Sequence, residues 1–214
     1  TEISLDFERP GLVPDGVWKR TARRDSWRDG DTCNLAIGQG ALLVTPIQLA
    51  MYAAALANGG TLWRPRLGRQ IAPAAGAVQE IAPARAPDGP RWEARHIRTV
   101  REGMRDAVNA PDGSGKRAKL PHVVVAAKTG TAEYGVKGAG RKMTWMVAFA
   151  PFDEPRYALA MLVEDGVSGG TTVAPRVQQL LARVFSEVEH LDPPPAAIPA
   201  PELPAPAPAE EEPA

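Results

Sequence analysis

Three short apolar runs in the second half of the sequence limit its fold more than any other feature. They cover residues 122–127 (HVVVAA), 144–150 (TWMVAFA) and 157–163 (YALAMLV). Each is bounded by turn-forming residues and rich in Val, aromatic residues or Met, so each reads as a strand. As near neighbours in sequence, they are expected to lie side by side in one antiparallel sheet. The runs are close to continuous rather than alternating, so both faces of that sheet need helical cover. The expected fold class is α+β, a central antiparallel sheet with helices on both faces.

Candidate covering helices are visible. Thr45 is a natural N-cap, Pro46 suits the first helical position and Gln48 completes a capping box. Val44 and Leu49 could staple across that cap. The helix then runs IQLAMYAAALAN, apolar nearly all round and so expected to be buried, until Asn58-Gly59-Gly60 ends it. A second helix is expected over 93–109, with Ile97, Val100, Met104 and Val108 at helical spacing and Arg and Glu on its other face. A third is expected over 172–189, its inner stripe formed by Val173, Val177, Leu180, Leu181, Val184, Phe185 and Val188. Residues 1–32 show no clear period and read as irregular. Residues 33–40 read as a short helix closed by glycine, and 61–90 as short strand-like pieces (TLWRPRL, VQEI) among prolines and glycines. The last 24 residues, 191–214, hold nine prolines and five acids, and read as a disordered Pro/Glu-rich tail after a domain spanning 1–190.

Composition removes several classes of function. Basic and acidic residues balance at 25 each, although residues 1–190 carry a net charge of +5. There is no global pull toward nucleic acid. The single cysteine, Cys33, allows no internal disulfide. His96, His122 and His190 lie far apart without metal-ligand spacing. No run of about 18 apolar residues is present. The opening, TEISLDFERPGLVP, has no initiator methionine and reads like the middle of a longer protein.

The chemistry-bearing feature follows the first apolar run: Lys128-Thr129-Gly130-Thr131. One reading ends the strand at Ala127, leaves Lys128 in solvent and makes Thr-Gly-Thr an ordinary turn. The other makes it a ligand site. A strand edge offers backbone N–H groups to an extended substrate, and glycine lets that substrate approach closely. A lysine and two threonine hydroxyls suit a carboxylate, and the Thr131 N–H could meet a developing oxyanion.

Longer stretches carry a resemblance. LAIGQGALLVTPIQLAMYAAALANGGTLWRPRL resembles the Gly-Gln-Gly…Val-Thr-Pro-x-Gln-Leu-Ala block of class B penicillin-binding proteins. VVVAAKTGTAEYG, MTWMVAFAP and VSGGTTVAPRVQQLL resemble their Lys-Thr-Gly strand, next strand and final helix, in that order. The likeness covers about residues 11–190 and is greatest to the elongation-type, penicillin-binding protein 2-like members. It implies a serine β-lactamase/transpeptidase-like fold, here incomplete, and a serine D,D-transpeptidase that cross-links peptidoglycan stem peptides and binds β-lactams. It implies no cofactor, cell-elongation machinery proteins as partners, and a place on the periplasmic face of the inner membrane with an anchor upstream. By the same resemblance, Lys128 holds the substrate carboxylate and tunes a proton-shuttling serine. Thr129 and Thr131 bind that carboxylate, Gly130 gives clearance, and the Thr131 N–H is half of an oxyanion hole.

Two family motifs have no counterpart. None of the five serines, Ser4, Ser26, Ser114, Ser168 and Ser186, has lysine three residues on, and no Ser-x-Asn or Tyr-x-Asn occurs. The family carries both motifs before the Gly-Gln-Gly block. The expectation is a fragment of a transpeptidase domain, inactive alone, whose nucleophile lies upstream. The alternatives are a β-lactamase-related hydrolase and a non-catalytic interaction module. Glu133 reads as a strand-end charge, Cys33 as a small buried residue, Ser114 as structural and Trp145 as sheet packing. Gly169-Gly170 read as a turn, or as a helix N-terminus that receives an anion.

Overall fold

The computed structural model describes residues 1, 3, 7–87, 89–135 and 140–189. The tail expected over 191–214 lies outside them. The elements are α1 (Gly16–Arg23), α2 (Asp29–Ala36), α3 (Pro46–Ala57), a two-stranded ribbon of β1 (Gln70–Ile71) and β2 (Gln79–Glu80), α4 (Ala94–Asn109), β3 (Ala126–Glu133), β4 (Lys142–Ala150), β5 (Tyr157–Glu164) and α5 (Ala174–Arg183). Strands β3, β4 and β5 form one antiparallel sheet in that order, with Ala126 opposite Phe149 and Ala150 opposite Tyr157.

Helices cover both faces, as the continuous apolar runs require. On one face Leu56 and Ala57 of α3 and Met104 of α4 pack with Ala126 and Phe149. On the other, Val173, Val177, Leu181 and Phe185 pack with Ala127, Met146, Ala148 and Ala150. Strand alternation sorts neighbouring residues between the two cores.

The first strand is displaced from its expected place. It begins at Ala126 rather than at His122, and it runs through Lys128–Thr131 to Glu133. Val123 and Val125 are buried, but they precede the ladder. A residue before Ala126 would have to pair with the end of β4, where Pro151 has no N–H to give. Instead the Val125 carbonyl accepts from Asn109 Nδ2 at 2.9 Å, and the Val124 carbonyl accepts from the Phe152 N–H at 2.9 Å. The apolar run therefore marks burial, and the polar segment after it is the strand.

The helix ends behave as their residues dictate. Thr45 Oγ1 accepts from the Gln48 N–H, and Gln48 Oε1 accepts from the Thr45 N–H, closing the capping box. Burial of α3 is confined to its last turns, Ala53 and Ala55–Ala57. Tyr52 is exposed and meets Trp92 edge-on. Residues 1–32 are not irregular: they contain α1 and the start of α2. Neither helix buries a residue, and each is only eight residues long. Caps and ion pairs define them instead. Asp15 Oδ1 accepts from the Trp18 N–H at 2.7 Å, and Lys19 Nζ lies 2.6 Å from Asp31 and 3.3 Å from Asp25. Cys33, on α2, is exposed rather than buried.

Two helical stripes also shift. Val100 of α4 is exposed, and Arg101 takes the inner position between Ile97 and Met104. Its guanidinium donates to the carbonyls of Ala57 and Phe152, each at 2.6 Å, and lies over the rings of Phe149 and Phe152. Leu180, on α5, and Val188, in the widened turn Val184–Val188 that follows it, are exposed as well.

Candidate active site

Strand β3 has one partner among the described residues, β4, so its other edge is open. The hydrogen bonds at that edge fix which groups face outward. The Thr129 carbonyl accepts from Lys128 Nζ at 2.6 Å, and the Thr131 carbonyl accepts from Gln39 Nε2 at 2.9 Å. In a strand, a residue's N–H and C=O point to the same side, and successive residues alternate. Thr129 and Thr131 therefore turn their amides to the open edge, while Lys128 and Gly130 spend theirs on β4. Gln39 is the middle residue of the Gly-Gln-Gly block. The block thus reaches across 92 positions of sequence to the Lys-Thr-Gly strand.

A groove of about 420 Å³ adjoins this strand. Its walls are Thr129–Thr131, the loop Gly113–Arg117 and the turn Ser168–Thr171 that leads into α5. Ser114 Oγ and Thr129 Oγ1 are 3.1 Å apart, so Ser114 ties its loop to β3 and borders the groove. The Gly169 N–H donates to Thr131 Oγ1 at 3.4 Å, and Ser168 Oγ accepts from the Thr171 N–H at 3.1 Å. Gly169 lies flat on the sheet. A Cβ there would come within 2.4 Å of the Trp145 carbonyl oxygen and 3.0 Å of the Gly130 nitrogen. At Gly170 a Cβ would meet the Ser114 carbonyl oxygen at 2.2 Å. The glycine pair does more than make a turn, because it lets the turn rest directly on β3 and on the Ser114 loop.

The four residues of the expected site do not all face one way. Thr129 and Thr131 lie opposite Met146 and Thr144, on the α5 side of the sheet, and line the groove. Lys128 lies opposite Val147, on the α3 and α4 side, exposed, and does not line the groove. The cations that do are Lys116 and Arg117. Glu133 ends the strand opposite Lys142, as a strand-end charge should, and Trp145 packs across from Gly130.

A second polar group closes the far end of the sheet. Arg141 donates to both oxygens of Asp165, at 3.2 and 3.0 Å, and the Tyr134 hydroxyl donates to the same carboxylate at 2.9 Å. The Arg141 and Tyr134 hydrogen bonds hold the Asp165 carboxyl below its usual range. Desolvation first, and the Asp165 hydrogen bond second, push the Tyr134 phenol up.

Taken together, the groove and the β3 edge present hydroxyls, amides and cations. Among the described residues no serine of the groove is hydrogen-bonded to a lysine or histidine that could activate it. Groups of these kinds suit an anionic, carbonyl-bearing ligand. The penicillin binding protein transpeptidase domain matches residues 1–182. The chain belongs to that family.

Relatives within the family agree with this. The peptidoglycan D,D-transpeptidase MrdA of Salmonella typhimurium is 33% identical over 208 residues, covering 86% of this chain and 32% of its own length. The chain therefore spans about a third of the length of the curated relative it matches. Penicillin-binding protein 2 of Pseudomonas aeruginosa, solved in complex with WCK 5153, superposes with a TM-score of 0.68 at 34% identity, over 83% of this chain and 39% of that one. Penicillin-binding protein 2 of Helicobacter pylori, solved in complex with MreC, gives a TM-score of 0.68 at 28% identity, over 86% and 32%. The transpeptidase fold accounts for the three-stranded sheet between two helical layers. Sequence reasoning set aside Ser114 and left Gln39 inside its block. The signal for both was the glycines around them: Gly38 and Gly40 take positive φ and turn the chain, and Gly115 lets its loop lie against Met146 of β4.

Proposed function

We propose that this chain is the carboxylate-binding side of an elongation-type peptidoglycan D,D-transpeptidase. The observation that carries the reading is the open, donor-bearing edge at Thr129–Thr131 on a chain of the penicillin-binding family. The nucleophilic serine, its lysine base and the second motif belong to a part of the protein outside these residues. In support, no Ser-x-x-Lys occurs among the 214 residues, and the family relatives are longer.

The reaction then follows from the parts. The serine attacks the carbonyl of the penultimate D-alanine of a stem peptide, and the terminal D-alanine leaves. The acyl group remains as a serine ester until an amine on a neighbouring strand takes it. The Thr131 N–H and the nucleophile's own N–H stabilise the oxyanion in both steps. Thr129 and Thr131 hold the substrate carboxylate through their hydroxyls, and Gly130 leaves room for the peptide. Lys128, at the edge, tunes the proton-shuttling serine. β-Lactams acylate the same serine. In the intact enzyme the domain covers residues 1–190, followed by the Pro/Glu-rich tail. The enzyme faces the periplasm from the inner membrane and works with cell-elongation proteins. The complex of the Helicobacter relative with MreC supports that last point.

The test is a fluorescent-penicillin gel on the native polypeptide, probed in parallel with an antibody to residues 191–214. A labelled, antibody-reactive band larger than the 214-residue chain, with slow loss of label, is the expected result. Rapid loss of label would assign a hydrolase instead. An unlabelled band at the size of this chain would make it an interaction module.

A further inference from the structure

The turn Ser168–Thr171 is the wall of the groove that faces Thr131, and its polar tie to β3 is weak. The Gly169 N–H donates to Thr131 Oγ1, but 3.4 Å is long for such a bond. Thr172 and Val173 are buried and anchor the turn where it enters α5. The end toward β5 needs an anchor of its own.

That end begins at Asp165, three residues before Ser168. Its backbone is left-handed, with φ at 54°, a conformation that Asp tolerates better than most residues. Its carboxylate accepts from Arg141 Nε at 3.2 Å, from Arg141 Nη2 at 3.0 Å and from the Tyr134 hydroxyl at 2.9 Å. The Arg141 guanidinium lies 4.6 Å from the centre of the Tyr134 ring, and the Tyr134 N–H donates to the Arg141 carbonyl at 3.1 Å. Tyr134 in turn stands three residues past Thr131. Two short segments, 131–134 and 165–169, are thus joined at both ends. The join is weak at Thr131 and Gly169, and strong at Tyr134 and Asp165. Gly166 blocks movement toward the sheet, since a Cβ there would lie 2.4 Å from Thr144 Oγ1. The Arg141 and Asp165 side chains are 53% and 52% exposed, and a lone pair so exposed would contribute little. A two-pronged pair shared with a hydroxyl and a ring face is a network, and it holds its geometry better.

We infer that Tyr134, Arg141 and Asp165 are positioning residues: together they set how far the Ser168–Thr171 turn stands from β3, and so hold the Thr131 N–H where it meets the developing oxyanion. None of the three lines the groove, so each acts through Thr131 and Gly169. The inference rests on the transpeptidase reading of the site.

The experiment follows acylation of the full-length protein by benzylpenicillin. Rapid mixing separates the dissociation constant of the first complex from the rate constant of acylation. Asp165→Gly accepts the left-handed backbone and removes the carboxylate. It is expected to lower the rate constant about tenfold, through a shift of about 0.5 Å at Thr131, and to change the dissociation constant by less than about twofold. Tyr134→Phe, which removes only the hydroxyl, is expected to lower the rate constant about threefold. The double variant should lose no more than Asp165→Gly alone, because both changes act through one carboxylate. Thr45→Ala, at the N-cap of α3, is the stability control: its melting temperature falls and its rate constant stays at the wild-type value. A lower melting temperature in Asp165→Gly with wild-type acylation would make the network a brace for stability and overturn the inference. Additive losses in the double variant, or a loss confined to the dissociation constant, would overturn it too. If Asp165→Gly does not fold, Tyr134→Phe and Arg141→Gln decide: an unchanged rate constant in both overturns it. A wild type that benzylpenicillin does not acylate would overturn the transpeptidase reading and this inference with it. A wild type that is acylated, beside variants with its rate constant, would overturn the inference alone.

Discussion

Replacing Gly169 with alanine tests how closely the turn before α5 must lie on the sheet. The new Cβ would sit 2.4 Å from the Trp145 carbonyl oxygen, 2.9 Å from the Gly130 carbonyl oxygen and 3.0 Å from the Gly130 nitrogen. All three are backbone atoms, so no rotamer change relieves the overlap. Carbon-to-oxygen contacts settle at about 3.3 Å or more, so the turn must lift by roughly 1 Å. Overpacking of this kind costs about 1–3 kcal/mol. The lift also breaks the Gly169 N–H to Thr131 Oγ1 bond, already long at 3.4 Å, and moves one wall of the groove. A displacement of about 1 Å next to the reacting atoms lowers rates by up to about 100-fold. The expected outcome for the full-length protein is a lower melting temperature together with β-lactam acylation slowed by one to two orders of magnitude. Gly103→Ala is the control. It lies in α4 with nothing within 4 Å of a new Cβ, so it should raise stability by about 0.5–1 kcal/mol and leave acylation unchanged. A Gly169→Ala protein with wild-type melting and acylation would refute the argument from close approach.

Three further outcomes are expected. Arg101→Met removes the guanidinium from the Ala57 and Phe152 carbonyls and from two ring faces; chemical denaturation should show a loss of about 3 kcal/mol. Thr45→Ala removes the N-cap of α3 and should cost about 1 kcal/mol by the same measurement. Asp165 has a carboxyl depressed chiefly by its Arg141 hydrogen bonds. Its contribution is full above the ordinary carboxylate range and fades as pH falls through the lower folded-state value. Melting temperature should therefore drop more steeply below about pH 5 in the wild type than in Asp165→Asn.

The sheet was legible because burial on two sides leaves a continuous apolar mark. The α3 start was legible because a capping box is local: Thr45 and Gln48 need only each other. What escaped was decided by partners distant in sequence. The start of β3 depends on where β4 runs into Pro151, which no pattern around His122 reveals. Arg101 looked like one more surface arginine because its acceptors, the Ala57 and Phe152 carbonyls, lie 44 and 51 positions away. The helices α1 and α2 bury nothing and span eight residues each, too few for a period to stand out. At the site, Thr129, Gly130 and Thr131 stood out by residue type, whereas Ser114 and Gln39 joined only through the fold. The placing of Lys128 on the far face follows from strand alternation, once β3 is known to continue through it.

The two side chains that occupy the outward carbonyls of β3 have an effect on association. An open edge with free donors and free acceptors can recruit the same edge of another molecule and grow into an aggregate. Here Lys128 Nζ and Gln39 Nε2 already satisfy the acceptors at Thr129 and Thr131, leaving the donors unmatched. Such an edge is one-handed in its chemistry. A visiting group that only accepts, such as a carboxylate or a carbonyl, finds a complete complement, whereas a second protein strand finds half a ladder. The edge can stay uncovered with little risk of sticking to its own kind.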